Sequence, residues 1–247
     1  MPKVALVTGG GQGIGAAICQ ELAKNSFNVV INYLTSKDKA LQLATNLKEQ
    51  YNVEVLCYQC DVSNENDVDK MISYVEEKIG GVDVLINNAA IDLSSMWHEK
   101  NANNFKKTLD VNVIGAYNVS KRVYKNMMDK KWGRIINISS TNGINTYYPM
   151  SLEYDASKAA LISLTHNLAI QFAPYVNVNA IAPGFIGTEN ELKGYDEEFL
   201  KSEQEKILLG RYGSPIEVAH LVKFLVSEEA NYINNAVIRI DGGQYGS

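Results

Sequence analysis

Tyr154 and Lys158 stand four residues apart in the segment Tyr154-Asp155-Ala156-Ser157-Lys158. On a helix, positions i and i+4 share a face. A free phenol titrates near about 10 and is a poor acid–base group at neutral pH. An adjacent ammonium favours the phenolate and is expected to draw the Tyr154 pKa down. Such a pair can deliver a proton to, or take one from, a carbonyl or alcohol oxygen. Ser140, in Asn137-Ile138-Ser139-Ser140, offers a hydroxyl to hold the same oxygen. Asn112 offers a polar side chain that anchors a water linking Lys158 to solvent. Alone, each feature has a bland counterpart: a chance helical pair, a strand-end turn serine, a polar residue inside a helix.

These residues need elements that bring them together. Short apolar runs of strand length alternate with helical stripes along the whole chain. Expected strands cover Val4–Val7 and residues 29–31, 53–56, 82–86, 134–138, 176–181 and 236–240. Between the first two, Ile14, Ala17, Ile18 and Leu22 recur at helical spacing. A long helix is expected over 101–129 and another over 154–173. Ser214, Pro215 and Glu217 mark a further helix start with a capping box. Strand–helix alternation implies parallel pairing with crossover helices, and strands apolar throughout fit a sheet covered on both faces. The expected fold is α/β: a doubly wound, Rossmann-type parallel sheet of about seven strands with helices on both faces. It forms a single domain over 1–247. Residues 189–211 are longer and more polar than a normal connection and are expected to form a lid.

The first strand runs into Thr8-Gly9-Gly10-Gly11-Gln12-Gly13-Ile14-Gly15, where a helix begins. Glycines let the backbone approach a pyrophosphate, and a helix N-terminus presents free N–H groups to it. Between the first strand and first helix of an alternating chain, this is the fingerprint of dinucleotide binding. Folds that prefer NAD place an acid after the second strand to hold the ribose 2′-hydroxyl. Here that stretch reads Asn32-Tyr33-Leu34-Thr35-Ser36-Lys37. It holds no carboxylate, while Thr35, Ser36 and Lys37 can donate to a 2′-phosphate. NADP(H) is therefore favoured over NAD(H), although Gln12 stands where a basic residue would help. Asp61 and the run Asn87-Asn88-Ala89-Ala90 follow strands three and four, at the carboxyl ends where ligands bind.

Composition narrows the classes further. The chain has 247 residues, 23 Lys+Arg against 28 Asp+Glu, and is 46% hydrophobic. That is the profile of a folded globular protein, and the acidic balance argues against nucleic-acid binding. No apolar run is long enough to span a membrane. The N-terminal apolar stretch is too short for a signal peptide, so a cytoplasmic location is expected. Cys57-Tyr58-Gln59-Cys60 matches Cys-x-x-Cys, but strand residues three apart face opposite sides. His98, His166 and His220 show no ligand spacing, so no metal is expected. Lys130, Lys131 and Arg134 read most simply as a solvated helix end.

Taken together, these motifs resemble the short-chain dehydrogenase/reductase family over essentially the full length. The carrying residues are Thr8-Gly9-x-x-x-Gly13-x-Gly15, Asn87-Asn88-Ala89-Ala90, Asn112, Ser140, Tyr154-x-x-x-Lys158 and Pro183-Gly184-x-x-x-Thr188. The resemblance implies Tyr154 as proton donor, Ser140 as substrate orienter and Lys158 as tyrosine activator and ribose ligand. It implies Asn112 as anchor of a proton relay. Asp61 and Val62 would touch adenine, and Ile186 and Thr188 the nicotinamide carboxamide. The full cofactor set would be Thr8, Gly9, Gln12, Gly13, Ile14, Gly15, Asn32, Tyr33, Ser36, Asp61, Val62, Asn88, Ala89, Tyr154, Lys158, Pro183, Gly184, Ile186 and Thr188. A homotetramer is also implied, with surfaces around 113–128 and 161–173.

Within the family the chain is most similar to 3-oxoacyl-[acyl-carrier-protein] reductases, partly through Arg211-Tyr212-Gly213-Ser214-Pro215 and Ile238-Arg239-Ile240-Asp241-Gly242-Gly243. That implies NADPH-dependent reduction of a 3-oxoacyl thioester, with acyl-carrier protein as a partner docking at Lys131. The second docking position maps near Pro174, which carries no charge. The sequence departs elsewhere too. Ala90 replaces a glycine. Ser140 and Tyr154 are separated by one position more than the resemblance implies, in a loop where Tyr147, Tyr148, Pro149 and Met150 should face the substrate. The other expectation is therefore a family dehydrogenase acting on a sugar or small alcohol with NAD(P).

Overall fold

A computed structural model describes residues 2–245. Met1 and residues 246–247, the ends of the expected domain, lie outside the described residues. Seven strands form one sheet: β1 (Val4–Val7), β2 (Asn28–Tyr33), β3 (Val55–Gln59), β4 (Val84–Asn87), β5 (Gly133–Ile138), β6 (Val176–Pro183) and β7 (Val237–Ile240). Their order is β3-β2-β1-β4-β5-β6-β7, and every pairing is parallel. The expected strands are recovered with small shifts. β3 starts at Val55 because helix α2 (Lys37–Tyr51) ends on Asn52 in the left-handed region (φ 51°), and the chain must straighten before it can pair.

The strands are apolar throughout because both faces are covered. Ala5, Val7, Val29, Ile31, Ile136 and Ile181 point to one core, closed by α1 (Gly13–Lys24), α2 and α9 (Pro215–Leu225). Val4, Leu6, Val30, Ile135, Val176 and Val178 point to the other, closed by α3 (Glu65–Ile79), α5 (Gly115–Asp129) and α6 (Leu152–Phe172). Alternate residues of a strand thus feed two cores, as the period of two requires. α9 begins as expected: the Ser214 N–H donates to Glu217 Oε2 at 2.8 Å.

The expected long helix over 101–129 is interrupted. α4 (Ala102–Leu109) and α5 are joined by one π-helical turn, Asp110–Ile114. π turns inside helices mark places where one extra residue has been accommodated. The stretch 189–211 folds as two short helices, α7 (Glu189–Gly194) and α8 (Glu197–Glu205), followed by an irregular segment. Strand order reverses between β1 and β4, and the crevice above their carboxyl ends is where open α/β sheets bind ligands.

Candidate active site

One cleft of about 1160 Å³ opens at that crevice and runs along the carboxyl ends of the strands. The glycine-rich turn forms its first end. Gly9 and Gly13 both hold positive φ, 62° and 55°. A Cβ on Gly15 would lie 2.4 Å from the Gly9 carbonyl oxygen and 2.7 Å from Asn88 Nδ2, so only glycine lets α1 start here. Gln12 occupies the N-cap of α1 without a side-chain hydrogen bond to the helix. Its N-terminal N–H groups and dipole therefore face the cleft mouth. Asn88 Nδ2 donates to the carbonyl oxygens of Thr8 (2.9 Å) and Gly9 (3.1 Å).

Thr8 differs from its expected placement. It is buried and does not line the cleft. Its hydroxyl donates to Ile86 O and accepts from the N–H groups of Asn88 (2.9 Å) and Ala89 (3.0 Å). Because β1 and β4 are neighbours, Thr8 clamps the loop after β4 against the glycine turn. Asn32 does similar work on the other side. It accepts from Gly9 N at 3.2 Å, donates to Cys60 O at 3.0 Å, and also borders the cleft.

Tyr33, Leu34, Thr35 and Ser36 line the cleft beside Asn32. Lys37 does not, because it is exposed at the start of α2. The cation near this end is Lys39, 3.5 Å from Gln12 Oε1 and 3.6 Å from Glu189. Its position two residues into a helix start was the only signal for it in the sequence. Asp61 and Val62 line the cleft, and Asp61 is also a turn residue. Its carboxylate accepts from Ser63 N and Oγ, at 2.9 and 2.7 Å, in the turn before α3. Ile14, Ala89, Pro183, Gly184, Ile186 and Thr188 complete this half. Thr188 also caps α7, accepting from Glu191 N at 3.2 Å.

Ser140, Tyr154 and Lys158 meet at the other half. β5 delivers Ser140 and α6 delivers the other two. Lys158 is buried, and its ammonium donates to Ile138 O at 2.7 Å and lies 5.3 Å from the Tyr154 ring centre. Burial pushes its pKa down to about 8. The expected fall in the Tyr154 pKa is reversed here. Burial first, then the Asp92 and Glu191 carboxylates, push the phenol up, opposed by a hydrogen bond with Ser140. The reason is geometric: the ammonium is anchored on the Ile138 carbonyl, 5.3 Å from the ring centre, and does not outweigh the burial of the phenol and the two carboxylates.

Asn112 sits in the π turn, fully buried and outside the cleft wall. It accepts from Ile91 N (2.8 Å) and donates to Ile91 O (3.0 Å) and Ser157 Oγ (2.9 Å), beside Lys158.

The substrate half is walled by Asp92, Ser94, Asn142, Tyr148, Pro149, Met150, Glu191, Tyr195 and Phe199. Tyr148, Pro149 and Met150 lie where expected. Tyr147 does not: it is 64% exposed and its hydroxyl is tied to Ile144 O. Asp92 is fixed by Ser94 Oγ (2.8 Å) and Ser151 Oγ (3.3 Å). Asp92, Asn142 and Glu191 had no motif to announce them.

Of the basic run, Lys130 and Lys131 are exposed at the end of α5 as expected, and Arg134 is not. Arg134 is buried in β5, 4.5 Å above the Trp132 ring and bonded to Asn231. Lys130 pairs with Asp83 at 2.6 Å. Lys131 stands just before β5, at the opposite end of the sheet from Ser140, about 20 Å of strand away. Cys57 packs against the α2 side of the sheet and Cys60 against the α3 side, so the two do not meet. Among the described residues, no helix is long and apolar enough to cross a membrane, and no group of three or more His, Cys, Asp or Glu residues is placed to hold a metal ion.

Comparison with known proteins places this arrangement. A family model described as short chain dehydrogenase matches residues 3–198. The chain is 37% identical to a 3-oxoacyl-[acyl-carrier-protein] reductase of Aquifex aeolicus, over 98% of this chain and 97% of the relative. It is 37% identical to an acetoacetyl-CoA reductase of Rhizobium meliloti, covering 99% of each. Among solved structures it resembles a gluconate 5-dehydrogenase of Burkholderia cenocepacia in complex with NADP and tartrate. The TM-score is 0.90 and the identity 29%, covering 98% of this chain and 94% of that one. An acetoin dehydrogenase of Salmonella typhimurium matches with a TM-score of 0.88 and 32% identity, over 99% and 96%. The chain belongs to the short-chain dehydrogenase family and is an NAD(P)-dependent oxidoreductase.

Proposed function

We propose that the chain is an NADPH-dependent carbonyl reductase acting on a 3-oxoacyl thioester. The observation that carries this reading is a single cleft with a glycine-rich helix start at one end and Ser140, Tyr154 and Lys158 at the other. The residues fit a dinucleotide: Gly15 lets α1 start tight against the Gly9 turn, and the space beside Gly13 is open to 3.6 Å. Gly9, Gln12, Gly13, Ile14 and Gly15 would hold the pyrophosphate, Asp61 and Val62 the adenine, and Ile186 and Thr188 the carboxamide. Lys158 would also hold the nicotinamide ribose. When bound, the nicotinamide supplies the hydride.

The chain's own residues do the rest. Ser140 orients the carbonyl oxygen and Tyr154 protonates it. Burial and the Asp92 and Glu191 carboxylates, which raise the phenol in the ligand-free protein, oppose proton release and must be offset for Tyr154 to donate. Lys158 supports the phenol electrostatically, and Asn112 fixes the Ile91 loop and α6 around it. The absence of a carboxylate among Asn32, Tyr33, Leu34, Thr35 and Ser36 supports NADP(H) over NAD(H). α7, α8 and the turn between them supply Asn190, Glu191, Tyr195 and Phe199 to the cleft, which supports residues 189–211 as a lid. The reading includes a cytoplasmic homotetramer assembled through α5 and α6, which carry exposed Tyr117 and Ile170. It also includes acyl-carrier protein as a partner.

A second reading, a sugar or small-alcohol dehydrogenase, is favoured by one observation. Asp92 and Glu191 offer two carboxylate acceptors for hydroxyls beside the aromatic rings of Tyr148, Tyr195 and Phe199. NADPH oxidation with acetoacetyl thioesters on coenzyme A and on acyl-carrier protein tests the first reading, with NADH and a polyol panel run alongside. Turnover of thioesters with NADPH supports it. Turnover of polyols alone replaces it with the second.

A further inference from the structure

Tyr148 faces the cleft from the loop between Ser140 and Tyr154, yet its hydroxyl does not serve the cleft. It donates to Oε2 of Glu203 on α8. Glu203 is among the most buried charges in the chain, with its side chain 2% exposed. Its other oxygen lies 2.7 Å from the Lys206 ammonium, which also stands 6.0 Å from the Tyr148 ring centre. A carboxylate this buried is retained only where its oxygens are satisfied, and here both are. The other side of Tyr148 is equally tied. Its N–H donates to Asp155 Oδ2 at 3.2 Å, and Asp155 Oδ1 accepts from Asn142 Nδ2 at 2.7 Å. Asn142 in turn bonds Ser140 Oγ at 3.1 Å. Phe199, one turn before Glu203 on α8, lines the same cleft.

We propose that Glu203 is a positioning residue that sets substrate specificity: by taking the hydroxyl of Tyr148, it locks the Tyr148 ring and α8 together as one wall of the substrate half. The wall then presents ring surface, not a free hydroxyl. Glu203 governs which substrates fit while leaving proton and hydride transfer to the groups at Tyr154. This rests on the thioester-reductase reading for its assay.

The test compares wild type with Glu203→Ala, Glu203→Gln, Tyr148→Phe and the double variant Tyr148→Phe with Glu203→Ala. KM and kcat are measured on acetoacetyl thioester, and NADPH affinity is measured separately. Glu203→Ala should raise KM roughly tenfold with kcat and NADPH affinity within about twofold, the signature of lost substrate fit. Glu203→Gln keeps an acceptor for the phenol and should return KM to within about threefold of wild type. The double variant should be no worse than Glu203→Ala, because both remove one interaction. An unchanged KM in Glu203→Ala, a parallel loss of kcat, or additive effects in the double variant overturns the proposal. If wild type turns over no thioester, the substrate reading fails by itself. Hydrogen exchange then decides the clasp. Faster exchange across 197–206 in Tyr148→Phe upholds it, and unchanged exchange overturns it.

Discussion

The Lys158 ammonium donates to the carbonyl oxygen of Ile138 at 2.7 Å and lies 5.3 Å from the centre of the Tyr154 ring. The last carbonyl of β5 thus holds the cation of α6 beside the phenol. Removing the phenol hydroxyl takes away the proton donor and leaves this scaffold intact. Tyr154→Phe should lower kcat by roughly a hundred- to ten-thousandfold and leave NADPH affinity nearly unchanged. Turnover near the wild-type rate would remove Tyr154 from the reaction.

Lys158 also gives the protein a pH signature. Its folded pKa, near 8, lies below the unfolded value of 10.5. Between these values the unfolded chain binds more protons than the folded one, so stability rises with pH across that window. The cost of burying the charge is fully present below pH 8 and is relieved as pH climbs to 10.5. Relative to Lys158→Met, the ligand-free wild type should gain about 3 kcal/mol between those limits. Urea unfolding of both proteins at several pH values measures it. A constant difference would contradict the assigned burial cost.

Thr8 acts on the nucleotide end without touching the cleft. Thr8→Val keeps the shape but leaves the partly buried N–H groups of Asn88 and Ala89 without an acceptor. Each orphan costs about 1–3 kcal/mol. Tm should fall and NADPH binding should weaken together, while Thr8→Ser should restore both.

Gly15 and Gly194 make a matched pair. Gly15→Ala drives a methyl to 2.4 Å from the Gly9 oxygen, whereas a Cβ on Gly194 meets nothing within 4 Å. Calorimetry should show NADPH binding lost or weakened by at least about a hundredfold in Gly15→Ala, with Gly194→Ala like wild type.

Coenzyme choice is open to a one-residue test. Thr35→Asp places a carboxylate where the cleft now has none. It should repel a 2′-phosphate and accept a ribose 2′-hydroxyl, moving the NADPH to NADH ratio of kcat/KM toward NADH by roughly tenfold or more. An unchanged ratio would place the 2′ position elsewhere.

The sheet and most of the site were legible because they obey short-range rules. Strand runs such as Val4–Val7 are apolar over every residue, and the glycine turn follows directly. Tyr154 and Lys158 share a helix face by spacing alone. What stayed hidden depends on contacts between segments far apart in the chain. Thr8 reads as a cradle residue until β4 is placed beside β1. Arg134 reads as a solvated cation until Trp132 and Asn231 close over it. The downward shift expected for Tyr154 failed because spacing reveals Lys158 but not the burial of the phenol, nor Asp92 and Glu191, which come from other segments.

The π turn at Asp110–Ile114 separates two helices that share α6 but differ in their other neighbours: α4 packs on α6, and α5 on α3, β4, β5 and α6. An α-helix advances about 100° per residue. A one-residue change in length elsewhere in 102–129 would therefore swing one of those faces out of register by roughly that angle, whereas losing one residue inside the π turn would close it into ordinary helix and move Asn112 away from Ser157 instead. Point changes along the outer surface of α4 disturb nothing comparable. Across lineages, single-residue gaps within 102–129 should therefore fall only in the π turn, and in chains that have lost the Asn112 contacts as well.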